Sequence, residues 1–460
     1  MGYFQGRLGI HFSPGGLILK RILSAARGPL RGRVAVPGDK SISHRAALFT
    51  LLADGPCRAE GWLESDDTLR SLEAVAALGG RTHRRGRRIT ITPPDPDSLG
   101  SEPLTLDCGN SGTTTRLLCG LLAGWLPVGG PAVTLTGDAS LSSRPMARVV
   151  DPLRGMGARI TYLGQEGRLP LRMEPSVLEG RICDLEVPSA QVKSALLLAG
   201  LFADGRTTVR GAGSSRDHTE RLLATMGIPV EGFPGSGDLS LDGPLSGRAY
   251  RIIVPADPSS AAFFQVGAAI LPGSRVLVPD QSLNPGRAGA LRVLERAGAR
   301  VKIGNRRGAP GEEMGDVEVS ARALRAFQIT PEDVPPLIDE LPILAVLATQ
   351  AAGETVITGA AELRVKESDR IAATARFLRG MGANIVELRD GWRVIGPTPL
   401  HGGEPSAPLF VATHGDHRIA MAAGVAALVA AGTTILDDDA CVRVSYPEFF
   451  VTLDQLLAGS

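Results

Sequence analysis

The sequence predicts an α/β chain of two similar domains, each assembled from three copies of a unit that combines strands with two kinds of helix. Three observations lead there. A glycine phrase recurs at the end of amphipathic runs, a second series of runs is apolar on nearly every side, and 460 residues exceed what one ordinary core holds.

The glycine phrase reads Leu78-Gly79-Gly80, Met156-Gly157-Ala158, Met226-Gly227-Ile228, Ala297-Gly298-Ala299 and Met381-Gly382-Ala383. Its reference glycines lie 78, 70, 71 and 84 residues apart. Each closes a helical period and precedes a β-rich run, so each reads as a helix C-cap before a strand. A shortened sixth copy opens at Tyr446-Pro447-Glu448. The apolar runs occupy 43–53, 113–124, 191–203, 259–271, 340–352 and 417–431, with starts 70, 78, 68, 81 and 77 residues apart. A helix apolar all round belongs inside, whereas an amphipathic one covers strands with a single face.

Three units around three inner helices make one domain, and the second begins near Val254-Pro255-Ala256-Asp257-Pro258. The strand-like Arg33-Val34-Ala35-Val36-Pro37 is left over at the front, while the shortened sixth unit lacks a strand. The N-terminal chain is therefore expected to pair into the C-terminal domain. The expected layout is an extension of unknown role over 1–27, one domain over 28–38 and 257–460, and an inserted domain over 39–256. Residues 1–38 hold six Lys or Arg and no acid, as a transit peptide does, but they are rich in Gly and Pro and lack an amphipathic helix.

Composition excludes several function classes. A formal net charge of +1 provides no broad field for nucleic acid. Five separated cysteines without a C-x-x-C pair indicate neither a disulfide framework nor a zinc site, and point to a reducing, cytoplasmic compartment. His414-Gly415-Asp416-His417 has too few neighbouring ligands for a metal. The longest apolar runs are too short to cross a membrane.

The polar residues that interrupt the pattern sit at helix starts. Pro37-Gly38-Asp39-Lys40-Ser41 is not a phosphate-binding G-x-x-x-x-G-K-S loop, because Gly32 and Gly38 are one residue too far apart and Asp39 precedes the lysine. It still places Lys40, Ser41 and Arg45 at a helix mouth suited to a phosphate or carboxylate. Gly109-Asn110-Ser111-Gly112, Ser143-Arg144-Pro145, Ser189-Ala190-Gln191 and Arg216-Asp217-His218 repeat the theme, with Pro145 expected in a first helical turn. In the second half Asp339-Glu340, Asp416-His417-Arg418 and the dense 363–370 stretch LRVKESDR do the same. In that stretch a strand end is expected to lead to a helix N-capped by Ser368. Each motif alone is explained by capping or a surface ion pair. If corresponding helices aim at one inter-domain cleft, they form a trap for small polyanions, in which Asp339, Glu367 and Lys40 are the candidate proton movers.

In chain order, PGDKSISHRA, GNSGTTTR, SSRPM, SAQVKSALLLAGL, RDHTE, IDELPILA, LRVKESDR and GDHRIAM resemble the 5-enolpyruvylshikimate-3-phosphate synthase family of enolpyruvyl transferases, over about 31–450. The resemblance implies a two-domain inside-out α/β barrel with three βαβαββ units per domain. It also implies transfer of the enolpyruvyl group of phosphoenolpyruvate to the 5-hydroxyl of shikimate 3-phosphate, by a monomer needing no metal or cofactor. It assigns Lys40, Ser41, Arg45, Ser189, Ala190, Gln191, Arg216, Asp339 and Lys366 to shikimate 3-phosphate. Lys40, Gly112, Arg144, Gln191, Arg370 and Arg418 go to phosphoenolpyruvate, and Asp339, Glu367 and Lys40 to catalysis. Glyphosate is expected to bind beside Gly112.

Two positions depart from the family pattern. Val444 stands where many relatives have a lysine, with Arg443 beside it, and Glu362 replaces an asparagine. The nearest rival reading is the sister transferase acting on UDP-N-acetylglucosamine. Lys40-Ser41 in place of a lysine-asparagine pair, and the lack of a cysteine near Arg144, count against it. A non-catalytic anion-binding scaffold would have no use for Asp339 and Glu367 among so many cations.

Overall fold

The capped apolar runs form two interleaved sets of helices, and among the described residues the segments between them form six small sheets. The computed structural model describes residues 8–13, 16–213, 215–234, 237–309 and 311–459. It divides into two compact units. The insert unit holds Gly38–Pro255 with Gly308–Glu312; the terminal unit holds the chain up to Pro37, Ala256–Arg307 and the chain from Glu313 onward.

The inner helices of the insert unit are Lys40–Leu48, Gly112–Trp125 and Ala190–Gly200. Those of the terminal unit are Pro258–Ile270, Leu341–Thr349 and His417–Ala427, in which every residue is buried. The covering helices bury one face only. Gly289–Arg296 turns Leu291, Val293 and Leu294 inward and leaves Arg292, Glu295 and Arg296 in solvent. Each unit thus owns a separate apolar core.

One strand pattern recurs. Leu104–Asp107 and Val133–Thr136 pair in parallel across the inner helix between them. The chain then passes through helix Ala147–Gly155 and returns as the antiparallel strands Arg159–Tyr162 and Leu171–Glu174. Parallel strands need such a crossover, while antiparallel ones close through a short turn. Gln328–Ile329 and Gly353–Ile357 repeat the parallel step around Leu341–Thr349, with the antiparallel strands Gly391–Gly396 and Asn384–Leu388 following.

The five phrase glycines, Gly79, Gly157, Gly227, Gly298 and Gly382, all have positive φ, between 80° and 104°. That is the backbone a helix C-cap needs and side chains disfavour. After Gly227, however, the expected strand is reduced to an isolated bridge between Glu231 and Ser240.

The N-terminal chain pairs into the terminal unit as expected, but through different strands from those expected. The leftover strand is Arg31–Arg33, and it pairs in parallel with Arg275–Ser282 in the fourth unit, not with the sixth. The sixth unit has the parallel pair Leu400–Glu404 and Ala430–Leu436, then helix Phe449–Ala458. Its antiparallel strands come from the stretch expected to be an extension: Gly16–Ser24 pairs with Ala430–Leu436, and Leu8–Ser13 pairs with Gly16–Ser24. The physical reason is edge completion, since Ala430–Leu436 would otherwise present unpaired backbone groups.

Candidate active site

In the insert unit the site begins with Asp39, whose carboxylate accepts the Ile42 amide at 3.0 Å and caps Lys40–Leu48. Trp62 pins the same turn by donating to the Ser43 carbonyl at 3.0 Å. Lys40 is the first helical residue, and its ammonium meets Asp67 Oδ2 at 2.5 Å. Arg45, one turn further and buried, donates to the Ser41 carbonyl at 3.0 Å, Thr219 Oγ1 at 2.8 Å and Ser194 Oγ at 2.9 Å. Burial lowers its pKa to about 10 against the opposing pull of Glu220 and Asp39, so it stays cationic at neutral pH.

Ser189 caps Ala190–Gly200, placing Ala190 and Gln191 in the first turn. Gln191 Oε1 accepts from Arg116 at 2.8 Å, and its amide nitrogen donates to Thr113 Oγ1 at 2.9 Å. Gly112 opens the adjacent helix behind the N-cap Ser111. A Cβ there would lie 2.6 Å from Arg116 Nη1 and 3.4 Å from Arg144 Nη1, so the glycine leaves room for two guanidinium groups. Arg144 is nearly buried and donates to Asn110 Oδ1 at 2.6 Å. It follows the short helix Ala139–Ser142, and Pro145 precedes the N-cap Met146, so Pro145 is not in a first turn as expected. Arg216 lies half-buried just before helix His218–Thr225.

The terminal unit holds the second cluster, centred on Arg370. Its side chain is 1% exposed, and Asp416 accepts from its Nε at 2.8 Å. Glu367 accepts from Nη2 at 2.5 Å, and Asp339 lies 3.4 Å from Nη1. Burial alone would lower the pKa of Arg370, but Asp416 and then Glu367 more than offset it, so the group is held above its ordinary value. Arg418 reaches the Asp339 carboxylate at 3.6 Å and its carbonyl at 3.2 Å. Asp416 also caps Arg418's own helix through the Arg418 amide at 2.9 Å. Asp339 and Glu367, read from the sequence as candidate proton movers, therefore share one buried cation.

Two expectations for 363–370 change. Asp369, not Ser368, caps Arg370–Gly380, because its carboxylate accepts the Ala372 amide at 3.0 Å while Ser368 donates to Asp416 at 2.9 Å. The preceding segment Ala361–Val365 is a 3-10 turn and not a strand end, with Lys366 half-buried behind it and Glu362 half-buried within it. Arg364 is engaged elsewhere, at 2.7 Å from Asp369 and 3.0 Å from Glu387. Arg443 is exposed on the turn Ala440–Val444. Asp416 serves Arg370, and among the described residues no three His, Cys, Asp or Glu side chains are grouped to hold a metal.

The sequence profile of EPSP synthase (3-phosphoshikimate 1-carboxyvinyltransferase) matches residues 25–453. The chain belongs to the EPSP synthase family. A 3-phosphoshikimate 1-carboxyvinyltransferase from Anaeromyxobacter sp. (strain Fw109-5) is 48% identical over 94% of this chain and 97% of its own length. One from Shouchella clausii (strain KSM-K16) is 43% identical over 95% and 99%. The EPSP synthase structure from Acinetobacter baumannii superposes with a TM-score of 0.81 at 38% identity, covering 95% of this chain and 98% of that one. The two-domain α/β architecture is that of the EPSP synthase family. Among the described residues no helix is long and apolar enough to cross a membrane.

Within this family framework, sequence reasoning named Asn110 and Asp416 inside their motifs but gave no partner role to them, to Asp67 or to Arg116, each of which holds a candidate side chain. Arg116 had a signal, since it lies one turn after Gly112 on the same helix. Asp67 had none, because 27 residues separate it from Lys40.

Proposed function

We propose that the chain transfers the enolpyruvyl group of phosphoenolpyruvate to the 5-hydroxyl of shikimate 3-phosphate and releases phosphate. The observation that carries this reading is the sharing of buried Arg370 by Asp339 and Glu367, beside Arg418, in a chain of the EPSP synthase family. The cations of the insert unit and the carboxylates and arginines of the terminal unit serve one reaction. Two phosphates and two carboxylates arrive with the substrates, which accounts for the number of fixed cations.

Protonation of the phosphoenolpyruvate methylene by Glu367 or Lys40 makes the adjacent carbon electrophilic. The substrate hydroxyl attacks that carbon as Asp339 accepts its proton, forming the new C–O bond. Glu367 or Lys40 takes a proton back from the resulting methyl group, which restores the double bond as the C–O bond to phosphate breaks, and the phosphate leaves with the proton that came from the hydroxyl. Lys40, Ser41, Arg45, Ser189, Ala190, Gln191, Arg216, Asp339 and Lys366 bind shikimate 3-phosphate. Lys40, Gly112, Arg144, Gln191, Arg370 and Arg418 bind phosphoenolpyruvate. The protein works as a cytoplasmic monomer, without nucleic acid, and glyphosate competes with phosphoenolpyruvate.

Phosphate release from the two substrates together tests the reading. Release is expected, and Asp339→Ala and Glu367→Gln are expected to cripple turnover more than shikimate 3-phosphate binding. No release from this pair, or turnover on UDP-N-acetylglucosamine instead, overturns it, as does near-normal turnover in both variants.

A further inference from the structure

Behind the insert-unit cluster lies an ion pair with no part in the reaction. Lys193 Nζ is 2.6 Å from Glu220 Oε1, and both side chains are only 2% exposed. The same ammonium donates to the Arg216 carbonyl at 2.9 Å and the Ser215 carbonyl at 3.3 Å. Its three N–H donors therefore meet three acceptors.

The placement is unfavourable on local grounds. Lys193 stands in the first turn of Ala190–Gly200, where the helix dipole repels a cation. A buried ion pair is also a poor device for stability, because apolar side chains of similar size do as well or better. What an apolar pair could not do is hold two backbone carbonyls of the segment before helix His218–Thr225. That segment carries Arg216, and the helix that carries Lys193 also presents Ser189, Ala190 and Gln191. One residue further on, Ser194 Oγ contacts Thr219 Oγ1 at 2.6 Å while both bind Arg45. The two helices are thus joined at adjacent points, one holding Arg216 by its backbone and one holding Arg45 by its side chain.

We propose that Lys193, neutralised by Glu220, is a positioning residue that fixes the backbone of Arg216 relative to Ser189–Gln191 and so sets affinity for shikimate 3-phosphate but not for phosphoenolpyruvate. This rests on the function proposed above. The ammonium acts through Arg216 and touches no substrate.

The test uses Lys193→Met, the charge-balanced double variant Lys193→Met/Glu220→Leu, and Lys193→Met combined with Arg216→Ala. In phosphate-release kinetics the first two are expected to raise the KM for shikimate 3-phosphate at least about tenfold, with kcat and the KM for phosphoenolpyruvate within about threefold. On the Arg216→Ala background, Lys193→Met is expected to add less than about twofold. A merely structural pair predicts that the double variant regains the parent KM; that result, a parallel rise of both KM values, or multiplying losses with Arg216→Ala overturns the proposal. Amide hydrogen exchange at 215–217 needs no substrate and is expected to accelerate at least about tenfold in the folded double variant. Unchanged exchange there overturns the clamp itself. Absence of phosphate release by the parent protein would instead reject the proposed function, leaving the exchange result to decide the role of Lys193.

Discussion

Asp416→Asn tests the terminal-unit cluster at its least exposed point. Asp416 accepts from Arg370 at 2.8 Å and 3.3 Å, from Ser368 at 2.9 Å and from the Arg418 amide at 2.9 Å, with 0% of its side chain exposed. Asparagine keeps the size and the cap but removes the charge and turns donors toward a guanidinium. Removing one partner of a fully buried pair costs about 3–5 kcal/mol. Glu367 at 2.5 Å and Asp339 at 3.4 Å still compensate Arg370, so the expected loss is about 2–3 kcal/mol. Urea unfolding at fixed salt reads it as a lowered midpoint. Arg370 then depends more heavily on the two proposed proton movers, so kcat is expected to fall at least about tenfold. Ser368→Ala, which removes one hydroxyl donor, is expected to cost no more than about 1 kcal/mol. If Asp416→Asn unfolds within about 0.5 kcal/mol of the parent and turns over normally, the cluster does not work as described.

Gly112→Ala places a methyl 2.6 Å from Arg116 and 3.4 Å from Arg144, and the flexible guanidinium groups give way. The KM for phosphoenolpyruvate is expected to rise about tenfold with thermal stability little changed, as steady-state kinetics and a melting curve will report. His44 is held neutral, its pKa well below the usual value, by burial first and then by Lys40 and Arg45 against Asp39, while its Nδ1 lies 2.8 Å from Ser71 Oγ. The unfolded chain takes up that proton below about pH 6.5 and the folded one does not, so this contribution to stability is complete above that pH and is lost as pH falls. By pH 5.5 the loss amounts to about 1.4 kcal/mol, and a His44→Gln variant is expected to lose that part of the pH dependence in urea titrations. Arg21 pairs with Asp439 at 2.6 Å and lies 4.3 Å from the Phe450 ring centroid, fastening strand Gly16–Ser24 to the last helix. Arg21→Ala is expected to cost about 1–2 kcal/mol in the same measurement.

Much of this molecule is written locally. The cap at Gly382 and the apolar run that became His417–Ala427 are set by a few consecutive residues, so period and capping chemistry reveal them without a partner. Boundaries moved where a cap competed: Lys40–Leu48 starts before the expected residue 43 because Asp39 caps it, and Asp369 displaces Ser368 for the same reason. The motifs that carry Lys40, Arg45, Gln191, Asp339, Glu367 and Arg370 were legible because their residue types cluster at helix starts.

What the sequence by itself determined was the six-unit repeat, the alternation of inner and covering helices, and the family to which the site motifs belong. Only the tertiary structure decided who pairs with whom. Arg370 takes Asp339 from 31 residues before it and Asp416 from 46 after it, Lys40 takes Asp67, and Gly16–Ser24 supplies a strand that the sixth repeat lacks. Hydrophobic period and caps act within a turn or two of chain, whereas ion pairs and sheet edges are satisfied by whichever distant segment the fold brings within about 3 Å.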